Sequence, residues 1–360
     1  MDETTVRDLL KEIEDPDLDD DLVSLGLVND IDIDGEKVTI DLALGAPYSP
    51  TETAIASEIR ETLAAEGIEA DLSATVPGRD DSVDSVLPNV KNVIAVASGK
   101  GGVGKSTVAV NLAAGLADRG ARVGLFDADV YGPNVPRMVD ADSPPMAADD
   151  GTLVPPEKYG TKLMSMAFLV DDDDPVIWRG PMIDKIITQL TEDVEWGHLD
   201  YLVIDLPPGT GDTQLTMLQT MPVTGAVIVT TPQHVALDDA RKGLQMFARH
   251  DTVVLGIAEN MATFVCDECG KRHDIFDAGG GEEFADTHDM PFLGSIPIDP
   301  AIREGGDEGR PLVLEDDADS GTAFRELAAN VADNTGIVHR RNVANSVSAR
   351  SPPAEHDIEK

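Results

Sequence analysis

Two short patterns concentrate the chemistry in this chain. The stretch "SGKGGVGKST" places Gly99, Gly104, Lys105 and Ser106 at the spacing G-x-x-x-x-G-K-[ST]. Such a loop curls successive backbone N–H groups of Gly99, Lys100, Gly101, Gly102, Val103 and Gly104 around a phosphate, and the helix that opens behind it adds the positive end of its dipole. Lys105 is spaced to reach the terminal phosphates, Ser106 to offer its hydroxyl to Mg²⁺, and Thr107 to continue the first helical turn. The second pattern is C-x-x-C: Cys266 and Cys269 are the two cysteines of the chain. A thiolate pair at this spacing serves redox exchange or metal binding in a reducing compartment.

One C-x-x-C supplies two thiolates, whereas a Cys₄ zinc site or a cubane iron–sulfur cluster takes four. A two-fold dimer provides the missing pair without further residues, because each residue meets its own copy near the axis. Three alternatives remain open on the residues alone. His273 with His250 or His288 would complete an intrachain zinc site, the pair could act as a redox couple, or it could bind no metal. Lys100 fits the same dimer: an ordinary phosphate loop does not need a second lysine at its start, where it either reaches a phosphate held by another subunit or is a solvated loop lysine, and the residues alone leave both open.

The remaining nucleotide parts follow in order. "ARVGLFDAD" ends with Asp127 and Asp129 at the top of a strand, and "YLVIDLPPGTGD" ends a second strand at Asp205, positioned to hold Mg²⁺ through water. The "PPGTGD" that follows reads as a mobile switch ending at Asp212.

These residues need a scaffold of short buried strands, and the chain supplies one. From residue 92, apolar runs ("NVIAVAS", "GAVIVTTP", "TVVLGIAEN") alternate with helical segments such as "KSTVAVNLAAGLADRG". That pattern predicts a mostly parallel, doubly wound α/β sheet, a P-loop NTPase domain over residues 92–336. Residues 1–76 predict a small α/β domain, with a helix over "TETAIASEIRETLAAEG" capped by Thr51 or Thr53 and strands at "KVTIDLAL" and "IEADLSATV". Residues 77–91 read as a linker and 337–360, polar and with two prolines, as a disordered tail.

Composition narrows the function. The 360 residues carry 68 acidic and 27 basic side chains, a net charge of −41. Such a surface repels nucleic acid and anionic lipid, so neither is an expected partner, and it suits a halophilic solvent in which salt screens self-repulsion. The acidic N-terminus lacks the basic, apolar pattern of a signal peptide, and the expected location is cytoplasmic.

Taken together, "SGKGGVGKST", "DADVYGPN", "WRGPM", "DLPPGTGD", "TTPQHVAL", "GIAENMATFVCDECG" and "IFDAGGGEEFA" resemble the Mrp/ApbC family of iron–sulfur cluster carrier ATPases, within the deviant Walker A group that includes MinD and ParA. The resemblance implies a homodimer that binds and hydrolyses ATP with Mg²⁺ and passes a labile 4Fe–4S cluster, bridged by Cys266 and Cys269 of two subunits, to apo-proteins. It also implies that Lys100 completes the partner's site, that Asp129 orients the attacking water, that Asn260 reads adenine, and that Trp178 and Arg179 lie near a switch. Residues 1–76 resemble the iron–sulfur-assembly domain often fused to such carriers. Many relatives have a cysteine just before the proline corresponding to Pro50, where this chain has Ser49. An oxygen ligand suits iron–sulfur chemistry poorly, so that domain is expected to recruit assembly factors or targets and to hold no cluster. The rival functions are a ParA/MinD-type positioning ATPase, a stable electron-transfer protein and a zinc-bridged scaffold.

Overall fold

The computed structural model describes residues 2–34, 37–76, 86–130, 132–141, 143–169, 188, 191–266, 268–316 and 318–350. The chain separates into two compact units, one of residues 1–79 with 335–360 and one of residues 80–334.

The first unit is a three-stranded sheet covered by helices. Strand β1 (Val28–Asp34) pairs antiparallel with β2 (Lys37–Leu42), and β2 pairs in parallel with β3 (Glu69–Ala74). Along β2, Val38, Ile40 and Leu42 alternate inward, the period-two pattern of a half-buried strand. They meet Val6 and Leu10 of α1 (Glu3–Leu10) and Ile59 and Leu63 of α2 (Pro50–Ala65) in one core. The cap of α2 is Ser49, whose side chain accepts from the Glu52 N–H at 3.1 Å, and neither Thr51 nor Thr53 serves. Pro50 at the first helical position, where its missing N–H costs nothing, is the signal that marks this boundary.

The second unit is built on a nine-stranded sheet. Its central strands β4 (Val93–Ala97), β5 (Val123–Asp127), β10 (Tyr201–Asp205) and β11 (Gly225–Thr230) are parallel and buried along their whole length. Two short strands, β6 (Met146–Ala147) and β7 (Leu153–Val154), form a separate ribbon, and β8 (Glu157–Lys158) and β9 (Thr161–Ser165) close one sheet edge. At the other edge lie β12 (Val254–Val265), the short β13 (Arg272–His273) and β14 (Phe292–Ile298). The strand order is β13-β12-β11-β4-β10-β5-β9-β8, with β14 alongside β12. Helix α3 (Lys105–Asp118) is buried on nearly every face, from Val108 to Leu116, as its apolar composition requires. Helix α4 (Val135–Met138), α5 (Asp212–Thr220), α6 (His234–Arg249), α7 (Gly280–Thr287) and α8 (Pro300–Glu308) follow in order. The expected fold class is the one observed.

Two boundaries differ from expectation. Residues 86–91, expected as linker, are packed: Leu87 and Val90 belong to the core of the second unit, and the Lys91 N–H donates to the Leu199 carbonyl at 2.9 Å. The last helix, α9 (Asp319–Arg350), does not stop at Gly336, so residues 337–350 are helical and not a disordered tail. Gly336, Arg340, Val343 and Val347 recur at helical spacing on one side. Arg340 is fully buried, with Nε 2.7 Å from Asp15, Nη2 2.6 Å from Asp17 and Nη1 3.4 Å from Glu52. A stripe made of a glycine, an arginine and two valines carries little apolar signal, yet it is the face that packs.

Candidate functional site

Parallel register assembles the site. Asp205 at the end of β10 lies directly opposite Asp127 at the end of β5 and Val96 of β4. The loop after β4 therefore opens beside two carboxylates. Gly104 caps α3 in the left-handed region, at φ 84°. A Cβ there would come within 2.1 Å of the Asn260 amide nitrogen, and one on Gly99 within 2.2 Å of the Asp239 backbone. At Gly101 and Gly102 an added Cβ would meet nothing within 4 Å. The glycines thus divide between close packing at the ends of the loop and an open concave middle that suits a phosphate.

Lys105 is 6% exposed and its ammonium lies 2.5 Å from Oδ1 of the fully buried Asp205. Burial pushes the Asp205 carboxyl upward, opposed by Lys105 and by a hydrogen bond from Ser106. The other oxygen, Oδ2, is buried and has no hydrogen-bond partner among the described residues, an arrangement that suits a cation or a cation's water. Asp127 is raised to about 7, first by burial and then by the neighbouring Asp205. Its carboxylate accepts from Ser165 at 2.8 Å, from the Val135 N–H at 3.2 Å and from the Asp129 N–H at 3.3 Å. Asp129 is buried at the same sheet edge and accepts from the Gly132 N–H at 3.3 Å. Lys100, half-buried at the start of the loop, accepts from the Ser98 hydroxyl at its carbonyl. Thr107 lies at the edge of the cavity described next. Trp178 and Arg179 lie outside the described residues.

Asn260 is where the two sequence motifs meet. Its Nδ2 donates to the Val103 carbonyl of the phosphate loop at 2.8 Å, and its Oδ1 accepts from the Met261 N–H at 2.9 Å. One amide hydrogen and one lone pair remain, enough for a bidentate pair with an adenine edge. Beside it opens a cavity of about 450 Å³ lined by Gly104, Thr107, Arg137, Asn260, Pro297 and Ile298, among others. That volume is in the range of small-molecule sites.

Beyond Asn260 the chain forms the cysteine hairpin. The Gly270 N–H donates to the Cys266 carbonyl at 2.8 Å and the Cys266 N–H to Lys271 at 3.0 Å. Cys266 is partly buried, Cys269 is exposed, and the two are not joined in a disulfide. Among the described residues, no three His, Cys, Asp or Glu side chains come together as a metal cage. His288, considered as a zinc ligand, instead has Nδ1 2.8 Å from the Phe284 carbonyl and its ring against Phe284. His250 follows the last turn of α6, and His273 faces Phe264.

Sequence reasoning did not single out Glu259, Met261 and Phe276. Glu259 is fully buried, accepts from the Gly281 N–H at 2.5 Å, and so ties the start of α7 to β12. A glutamate inside an otherwise apolar strand run was the available signal. Among the described residues no helix is long and apolar enough to cross a membrane.

Comparison with known proteins agrees with this geometry. A family model described as NUBPL iron-transfer P-loop NTPase matches residues 89–332, and one described as iron-sulfur cluster assembly protein matches residues 3–84. An iron-sulfur cluster carrier protein of Synechocystis sp. is 44% identical over 343 residues, covering 92% of this chain and 97% of its own. One from Escherichia coli is 48% identical over 248 residues, covering 68% and 67%. Among solved structures, a nucleotide-binding protein from Archaeoglobus fulgidus in complex with ADP aligns with a TM-score of 0.59 at 39% identity, covering 69% of this chain and 98% of its own. The cell division ATPase MinD of Pyrococcus furiosus aligns at 0.52 and 25% identity, covering 67% and 98%. At these identities, and with a family model spanning well over half its length, the chain belongs to the iron-transfer P-loop NTPases of the NUBPL type, with an iron–sulfur cluster assembly domain ahead of the NTPase.

Proposed function

We propose that the chain is a cytoplasmic, ATP-hydrolysing carrier that takes up a labile 4Fe–4S cluster between two copies of itself and delivers it to apo iron–sulfur proteins. The observation that carries this reading is the cysteine hairpin: it offers two thiols at its tip, finds no third ligand among the described residues, and is rooted at Asn260, against the phosphate loop. Asn260, bonded to the phosphate loop at Val103, thus lies six positions before the first thiol. Carriage is also the activity that the names of its relatives give.

In this reading the loop from Gly99 to Thr107 holds the phosphates of ATP, with Lys105 exchanging Asp205 for a phosphate oxygen. Ser106 and Asp205 would hold Mg²⁺, which neutralises charge on the phosphates. Asp129 orients the attacking water, and Lys100 reaches the nucleotide of the second copy. Asn260 reads the adenine edge with its remaining donor and acceptor. Cys266 and Cys269 of both copies ligate the cluster, and the N-terminal domain recruits assembly factors or targets, its Ser49 being occupied as a helix cap. The same fold serves cell division ATPases, but a positioning role gives the cysteine pair nothing to do, and a surface of net charge −41 disfavours nucleic acid or membrane.

Anaerobic reconstitution with iron and sulfide tests the reading. The wild-type protein should gain one cluster per two chains and the mass of a dimer, while Cys269→Ala should gain none and still bind ADP. A single chain that holds its cluster unaided, full occupancy in Cys269→Ala, or stoichiometric zinc in the purified protein would overturn it.

A further inference from the structure

The cavity beside the phosphate loop has a wall that comes from the cysteine hairpin. Met261, on the outgoing leg, and Phe276, on the returning leg, both line it with Gly104 and Thr107. Met261 Cε lies 4.0 Å from the position a Cβ on Gly104 would take, and the preceding Asn260 bonds the loop at the Val103 carbonyl. Phe276 is 37% exposed, an aromatic ring kept at a partly open cavity and not in a core. Rings of this kind are surfaces for flat ligands.

The backbone departs from regular geometry at these two points. Met261 has φ 59° and Asp277, next to Phe276, has φ 75°. Both are non-glycine residues in the left-handed region, which costs on the order of 1 kcal/mol each and recurs at switch elements. The pairing of β12 with β14 shifts register between Asn260 and Phe264, at the first kink. One step below, Glu259 of β12 accepts from the Gly281 N–H at the start of α7, which follows the returning leg. Outward of Glu259 the outgoing leg is still tied to the sheet, with Phe264 opposite Ile298 of β14, and the thiols lie beyond it, between the positive-φ residues Met261 and Asp277.

We infer that the hairpin itself senses the base of the bound nucleotide, with Phe276 as the positioning residue that converts base occupancy into a change at Cys266 and Cys269. The base fills the space between Phe276 and Ile298, the returning leg moves against it about the kinks at Met261 and Asp277, and the thiols at the tip follow. A bare polyphosphate fills the loop from Gly99 to Thr107 but leaves this wall untouched. The inference rests on the reading of the loop as a nucleotide site and is independent of which metal the thiols hold.

Cluster-free, reduced, full-length protein tests it, because the chain has two cysteines and thiol labelling by a chromogenic disulfide reports the hairpin alone. Saturating Mg·ADP should change the labelling rate of the wild type about fivefold or more, the lower end of coupling between sites. Saturating Mg·tripolyphosphate should leave the rate at its nucleotide-free value. Phe276→Ala should bind ADP more weakly and, at saturation, show no change in rate, while Phe276→Trp should restore it. Four results would overturn the inference: an ADP-insensitive wild type, the same response to tripolyphosphate, a wild-type response in Phe276→Ala, or complete loss of ADP binding in that variant. None of them bears on reconstitution, so a failure here leaves cluster carriage standing, and a failure there leaves this coupling standing.

Discussion

Replacing Asp205 with asparagine should tighten nucleotide binding when no divalent metal is present. In the nucleotide-free protein Lys105 is held by Asp205 at 2.5 Å, with both side chains out of water. A hydrogen bond to a charged group contributes about 1.5–3 kcal/mol, and a phosphate must break this one before it gains the lysine. The asparagine side chain would keep the shape of the site and remove the competing charge. At about 1.4 kcal/mol per decade, ADP affinity measured calorimetrically in excess chelator should rise by about tenfold or more. In excess Mg²⁺ the advantage should vanish, since the variant also loses the carboxylate proposed to hold the metal. The double variant Lys105→Met/Asp205→Asn should show no gain over Lys105→Met. Equal or weaker binding by Asp205→Asn in chelator would refute the view that the buried ion pair restrains the lysine. The variant should still fold, although stripping the lysine of its counter-charge lowers stability by about 3–5 kcal/mol, which saturating ADP should partly restore.

Two further outcomes test groups away from the thiols. Arg340→Met removes the cation shared by Asp15, Asp17 and Glu52; urea denaturation should show a loss of about 3–5 kcal/mol confined to the first unit, and a loss below about 1 kcal/mol would show that water already reaches these carboxylates. Asp127 is raised to about 7 in the folded chain against about 3.9 unfolded, so the nucleotide-free folded state binds the extra proton and wild-type stability falls as pH rises from about 4 to 7. Asp127→Asn lacks that dependence, and its stability relative to wild type should climb by about 1.4 kcal/mol per pH unit over this window and level off above it; parallel pH profiles would show that Asp127 is ionised throughout.

The parts of the site that a reader of the sequence finds are those encoded over a few residues. The glycines, Lys105 and Ser106 must be neighbours to wrap one phosphate, and the strand ends at Asp127 and Asp205 follow from apolar runs that terminate in polar residues, whereas β12 runs past Asn260 to Val265. What local pattern cannot carry is pairing across the fold. Lys105 meets Asp205 a hundred positions away, Asn260 meets Val103 across 157, and Arg340 meets Glu52 across 288. None of these has a periodic signature. Residues 337–350 read as tail because the stripe that packs is built from Gly336 and Arg340, residues that count against burial unless their partners are known. Thr51, Thr53 and Ser49 all offer a capping hydroxyl, and only Pro50 at the first helical position singles out Ser49. Phe276 lay unnoticed in an irregular stretch, since an aromatic residue in a loop gains meaning only when the loop folds back onto a cavity.

The place of Arg340 in the chain has a consequence for biosynthesis. The carboxylates of Asp15, Asp17 and Glu52 leave the ribosome first, but their cation is incorporated 288 residues after Glu52, a delay of roughly 15 to 60 seconds at ordinary elongation rates. Throughout that interval the nascent N-terminal segment carries an acidic pocket that stays hydrated. The NTPase domain, encoded in between, has all its strands before that cation is made, so the charge pairing of the opening segment is the last to be completed in translation.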